Sequence, residues 1–100
     1  MRFGLEEKVI NDIIRVFASF PQIHEVLLYG SRAKGTFKQG SDIDLMIKGE
    51  SIDLTLLNKI SLQLDELYVP NTFDLSLFDH IDNTELLEHV ERVGILFYKR

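Results

Sequence analysis

The sequence predicts an α/β (α+β) fold, a mixed β-sheet flanked by helices, and two observations carry that expectation. Segments with apolar residues at three- and four-residue steps alternate along the chain with short segments that are apolar throughout or at every second position. Each helix read this way has one apolar stripe that must be covered, and a sheet of mixed direction covers it. The order is helix, strand, strand, helix, strand, helix, with room for one more strand.

The first helix is expected from Leu5 to Phe17, where Val9, Ile10, Ile13, Ile14 and Phe17 share a face and Pro21 follows. His24–Tyr29 (HEVLLY) is short, rich in apolar residues and stopped by Gly30, the pattern of a buried strand. Asp42–Lys48 (DIDLMIK) alternates up to Gly49 and reads as a second strand. Asp53–Tyr68 sets Leu56, Leu57, Ile60, Leu64 and Leu67 on one face, a second long helix closed off by Pro70. Thr72–Phe78 (TFDLSLF) alternates again as a third strand. Asp82 and Glu85 stand at capping-box spacing, and Leu86, Leu87, Val90 and Val93 then give a short helix ended by Gly94. Ile95–Tyr98 is left for a final edge strand.

Composition narrows the function. One hundred residues with 45% apolar content suit one domain over residues 1–100, burying somewhat over roughly 60% of its unfolded surface. No apolar run is long enough to span a bilayer, and the N-terminus turns acidic at Glu6 and Glu7, so the chain is expected to be cytoplasmic, neither membrane-spanning nor exported. The absence of cysteine rules out disulfides and thiolate metal sites, and three scattered histidines argue against zinc, which leaves oxygen ligands for any metal. A net charge of −5 argues against tight binding to a long nucleic acid, whose affinity comes from cations neutralising many phosphates. A small phosphate compound is compatible, because its charge can be met locally.

The stretch YGSRAKGTFKQGSDIDL, Tyr29 to Leu45, has the means to do so. Side chains alternate across a strand, so Asp42 and Asp44 point to one face while Ile43 and Leu45 pack on the other. Two carboxylates that close repel, and one tends to take a proton unless a cation lies between them. Magnesium suits the position, since it takes a few hard oxygen ligands and keeps others open for water and substrate phosphates. Upstream, Gly30 and Ser31 end the first strand at a sharp turn. Glycine lets a phosphate approach the backbone, a helical turn over Ser31 to Gly35 would offer free amides, and the serine hydroxyl adds a donor. Gly40 and Ser41 repeat the pair just before the aspartates. Arg32, Lys34 and Lys38 offer cations, arginine as a bidentate fork.

Gly30 to Leu45 resembles the signature of the DNA polymerase β-like nucleotidyltransferase superfamily, in which Gly-Ser is followed after a short loop by Asp-x-Asp on a strand. In size the chain looks most like the minimal nucleotidyltransferases. The resemblance implies a third carboxylate on a later strand, and Asp74 in NTFDLSLFD matches it. It further implies two magnesium ions bridged by Asp42 and Asp44, with Asp74 on the ion nearest the acceptor hydroxyl and helping to remove its proton. Gly30, Ser31, Arg32, Gly40 and Ser41 would form the nucleotide site. The implied reaction moves a nucleoside monophosphate, AMP from ATP, onto a hydroxyl. The implied partner is a small all-helical protein of the HEPN or substrate-binding-domain type, the acceptor being a tyrosine of a HEPN toxin and the chain an antitoxin acting by AMPylation. The alternative is a catalytically idle subunit that binds a nucleotide or blocks the toxin by contact. His24, His80 and His89 read as structural or surface residues, because nothing pairs them with a nucleophile.

Overall fold

The structure is a computed structural model that describes residues 1–100. Helix α1 (Glu7–Ala18) leads into strand β1 (Ile23–Tyr29), which passes directly into the short helix α2 (Gly30–Lys34). A loop then reaches β2 (Ile43–Gly49), followed by α3 (Leu54–Asp65), β3 (Phe73–Leu77), α4 (Thr84–Val93) and β4 (Ile95–Lys99). The four strands form one sheet in the order β3-β2-β1-β4. β1 runs antiparallel to both β2 and β4, while β2 and β3 are parallel. α3 is the crossover that parallel neighbours require.

Strand alternation divides the sheet into two faces with different fates. Val26, Leu28, Ile43, Leu45 and Ile47 point to the face covered by α1 and α3, where Ile10, Ile13, Phe17, Ile60 and Leu64 complete the main core. On the other face Tyr29 and Met46 pack beneath Val90 of α4, with Leu27 and Leu86 at the margin. Because α4 covers this second face only in part, the residues at the strand ends beside it stay within reach of solvent. Asp44 belongs to it by alternation with Ile43 and Leu45, while Asp42, expected to open the strand, lies one residue ahead of β2.

Four local departures from the sequence expectation have physical causes. α1 starts at Glu7 rather than Leu5: Arg2 and Leu5 exchange backbone hydrogen bonds of 3.0 and 2.8 Å across a turn whose Phe3 and Gly4 have φ of 56° and 74°. Leu5 is buried from that turn instead of from the helix. α3 ends at Asp65, well before Pro70, because the chain leaves helical geometry with Tyr68 at φ 55°. The cap of α4 is Asn83, not Asp82; the Asn83 amide oxygen accepts from the Leu86 N–H at 3.2 Å. Phe78–His80 form a single 3₁₀ turn, too short to leave a periodic trace in sequence. The final strand forms, on β1, and no helix is long and apolar enough to cross a membrane.

Candidate active site

Strand register brings two of the aspartates together. In the parallel pair β2/β3, Asp44 lies directly beside Asp74, on strands roughly 4.8 Å apart. Asp42 lies just ahead of β2, two residues before Asp44, and near enough for its charge to act on the Asp44 carboxyl. Asp44 is half-buried; Asp42 and Asp74 are exposed. Partial burial, then the charges of Asp74 and Asp42 and a side-chain hydrogen bond with Asp74, push the Asp44 carboxyl up to about 6, with Arg32 opposing only weakly. The cluster is thus short of positive charge. No group of three or more acidic or histidine side chains is gathered closely enough to hold an ion unaided. A few carboxylate oxygens, with the remaining positions left to water and phosphate, is the donor set that magnesium takes at nucleotide sites.

The Gly30 turn sits against this cluster. Gly30 has φ of 73°, and a Cβ built on it would run into Asp44 Oδ2. Glycine is therefore needed both for the left-handed backbone and for the close approach of the carboxylate. Ser31 follows, half-buried, in the first turn of α2. The Gly30 N–H donates to Nε2 of His89 on α4 at 3.1 Å. The Tyr29 ring meets the same imidazole edge-on, centroids 6.1 Å apart at 80°, and its hydroxyl lies 3.3 Å from Ser76 Oγ on β3. Burial raises the Tyr29 hydroxyl above its ordinary pKa; the Ser76 bond opposes this, while Asp74 and Asp44 reinforce it.

Arg32 takes a different place from a solvent-facing phosphate fork. It is 3% exposed, and its guanidinium donates to the carbonyls of Phe3 (2.8 Å), Ser41 (2.9 Å) and Gln39 (3.5 Å). It also lies 5.1 Å from the Phe37 ring centroid, and its Nε has no hydrogen-bond partner. Asn71 reaches the same Gln39 and Ser41 carbonyls at 3.1 Å. The guanidinium thus ties the N-terminal turn and the loop before β2 to α2. Ser41 Oγ accepts from the Lys38 N–H at 2.8 Å, leaving its own O–H free to donate. Gly40 is exposed, and a Cβ there would meet nothing within 4 Å, so space does not demand glycine. Lys34 and Lys38 are exposed.

The structure therefore brings Asp44 together with Asp74 and Gly30, with Asp42 near enough for its charge to act on Asp44 and Ser31 adjacent, and places Arg32 in α2, bonded to the loop that holds Gly40 and Ser41. Sequence reasoning missed His89. Its signal was helical spacing: His89 is three residues after Leu86 and four before Val93, on the face of α4 that turns to the sheet.

A model of the family "Polymerase beta, Nucleotidyltransferase" matches residues 11–100. The chain belongs to the polymerase β nucleotidyltransferase family. Membership makes it an enzyme of nucleotidyl transfer. Among solved structures, the nucleotidyltransferase is similar to a chain of a toxin–antitoxin complex with AMP-PNP, at TM-score 0.75 and 22% identity over 91% of this chain and 73% of that one. It is similar also to a chain of the Shewanella oneidensis complex of tri-AMPylated HEPN toxin with MNT antitoxin, at TM-score 0.72 and 18% identity over 96% and 74%. A third, from the toxin–antitoxin MntA–HepT, gives TM-score 0.71 and 18% identity over 95% and 74%. At these identities the likeness speaks for the fold. A comparison with curated protein sequences gave no match.

Proposed function

We propose that the nucleotidyltransferase moves AMP from ATP onto a tyrosine hydroxyl of a small all-helical HEPN partner, acting as the antitoxin that silences it. The observation that carries the reading is the register of Asp44 against Asp74, with Asp42 near enough for its charge to act on Asp44 and the Gly30 turn touching Asp44. The turn and the carboxylates arise from one sheet, so residues 1–100 serve as a single minimal transferase domain. The solved complexes that share the fold include one with AMP-PNP and one with an AMPylated HEPN toxin, and these favour ATP and a HEPN protein over other nucleotides and acceptors.

Each residue has a role. The Ser31 hydroxyl, presented by the Gly30 turn at the start of α2, holds the triphosphate. Arg32 holds the loop that carries Gly40, Ser41 and Asp42 in place. Asp42, Asp44 and Asp74 would hold magnesium, two ions by the family pattern, and the excess negative charge that raises Asp44 fits a cation there. When bound, magnesium supplies countercharge to the phosphates and the developing charge of the displacement. Asp74, exposed at the edge of the cluster, takes the proton of the acceptor hydroxyl. That oxygen attacks the α-phosphorus, the bond to the bridging oxygen of the β-phosphate breaks, and pyrophosphate leaves.

The test is transfer of label from α-labelled ATP, with magnesium, to the helical protein encoded beside this one. Asp42→Asn and Asp44→Asn are each expected to lower transfer by about a hundredfold or more while leaving partner association intact. Tight association with no transfer by the wild-type protein would overturn the reading in favour of an idle blocking subunit.

A further inference from the structure

The Gly30 peptide needs something to hold it. Glycine reaches negative φ about as readily as the 73° found here, so the residue does not fix its own conformation. Yet the turn has two commitments that depend on this conformation: Asp44 Oδ2 occupies the space above the Gly30 Cα, and Ser31 enters α2 directly afterwards. The contact made by the Gly30 amide comes from 59 residues further along the chain, from His89 Nε2 at 3.1 Å. The imidazole is well placed to act as a stop. It is half-buried beside Val90 and stands edge-on to the Tyr29 ring, which is itself buried and tied to Ser76. Accepting at Nε2 requires the neutral ring with its proton on Nδ1.

We propose that His89 is a positioning residue for the nucleotide site, its Nε2 locking the Gly30 peptide in the orientation that seats Asp44 and presents Ser31. The effect on nucleotide binding rests on the transferase reading above; the effect on the Gly30 peptide does not. Without an acceptor, a half-buried N–H is left unpaired, and the peptide between Tyr29 and Gly30 turns to find one. Asp44 then loses its seat, although no group that touches the nucleotide has been altered.

Two variants separate this role from simple packing. His89→Phe keeps a ring against Tyr29 and removes the acceptor. His89→Gln loses the ring and offers an amide oxygen at similar reach. In the full-length, ¹⁵N-labelled protein, His89→Phe is expected to speed hydrogen exchange of the Gly30 amide by roughly tenfold, the size of one hydrogen bond. Its Kd for ATP with magnesium is expected to rise by a similar factor. His89→Gln is expected to stay within about threefold of wild type in both measurements. The reverse order, with His89→Phe near wild type and His89→Gln impaired, would overturn the proposal, as would Gly30 exchange unchanged in His89→Phe. Should His89→Phe fail to fold, His89→Leu removes the acceptor with less bulk and decides the same point. If wild-type protein binds no ATP with magnesium, the transferase reading falls, and Gly30 exchange alone still decides what His89 does.

Discussion

Asp44 stands where its own charge is least welcome, half out of water between Asp74 and Asp42. Its carboxyl is raised from 3.8 to about 6, so between these values the folded protein binds more protons at this position than the unfolded chain does. Stability from this group therefore falls as pH rises from about 4 to about 6, and above 6 the full penalty applies. In EDTA, the urea midpoint is expected to be higher at pH 5 than at pH 7.5. Asp44→Asn removes the penalty: it should stabilise the metal-free protein at pH 7.5 by roughly 1 kcal/mol, after allowing for solvent screening of a half-exposed group, and flatten this part of the pH dependence. A less stable Asp44→Asn in EDTA would mean that the carboxylate is held by hydrogen bonds that outweigh the repulsion. Sites that pay in stability for function behave this way.

Among the elements, α4 shows how finely sequence defines a boundary. Asp82 and Asn83 are both good caps, and the structure uses Asn83. Asn83→Ala is expected to cost about 1 kcal/mol in urea denaturation, and Asp82→Ala only a few tenths. The reverse order of losses would place the cap one residue earlier. The apolar steps made the helices and strands legible except α2, which showed in sequence only as a helical turn after Gly30, and the 3₁₀ turn; alternation alone put Asp42 opposite Ile43. What alternation does not supply is the neighbour. Asp74 faces Asp44 only because β3 pairs with β2 in this register; a slip of one residue would turn Asp74 to the core side. That pairing depends on the crossover through α3, a long-range property. The same limit hid His89 and misplaced Arg32. Helical spacing turns His89 to the sheet but does not name the amide 59 positions away that it accepts from, and an arginine beside Gly-Ser looks identical whether it faces phosphate or, as here, backbone carbonyls.

On the scale of the whole molecule, charge decides how ligand binding should affect stability. The chain carries a net −5, and the carboxylate cluster lies beside the turn assigned to the triphosphate, so ATP alone meets repulsion from Asp42, Asp44 and Asp74. Exposed Lys34 and Lys38 are screened by solvent and offset little of it. A divalent cation turns the same three groups from repulsive to attractive, so ATP and magnesium should bind as a unit. A ligand that binds only the folded state at a hundred times its Kd adds about 2.7 kcal/mol, which for a domain of this size raises Tm by roughly 10 °C or more. Thermal unfolding followed by fluorescence is expected to show that shift with ATP and magnesium together, little with ATP in EDTA, and none of it in Asp44→Asn. An equal shift with ATP in EDTA would mean that the nucleotide is held without the carboxylates, and the cluster and the Gly30 turn would then be two separate features instead of one site.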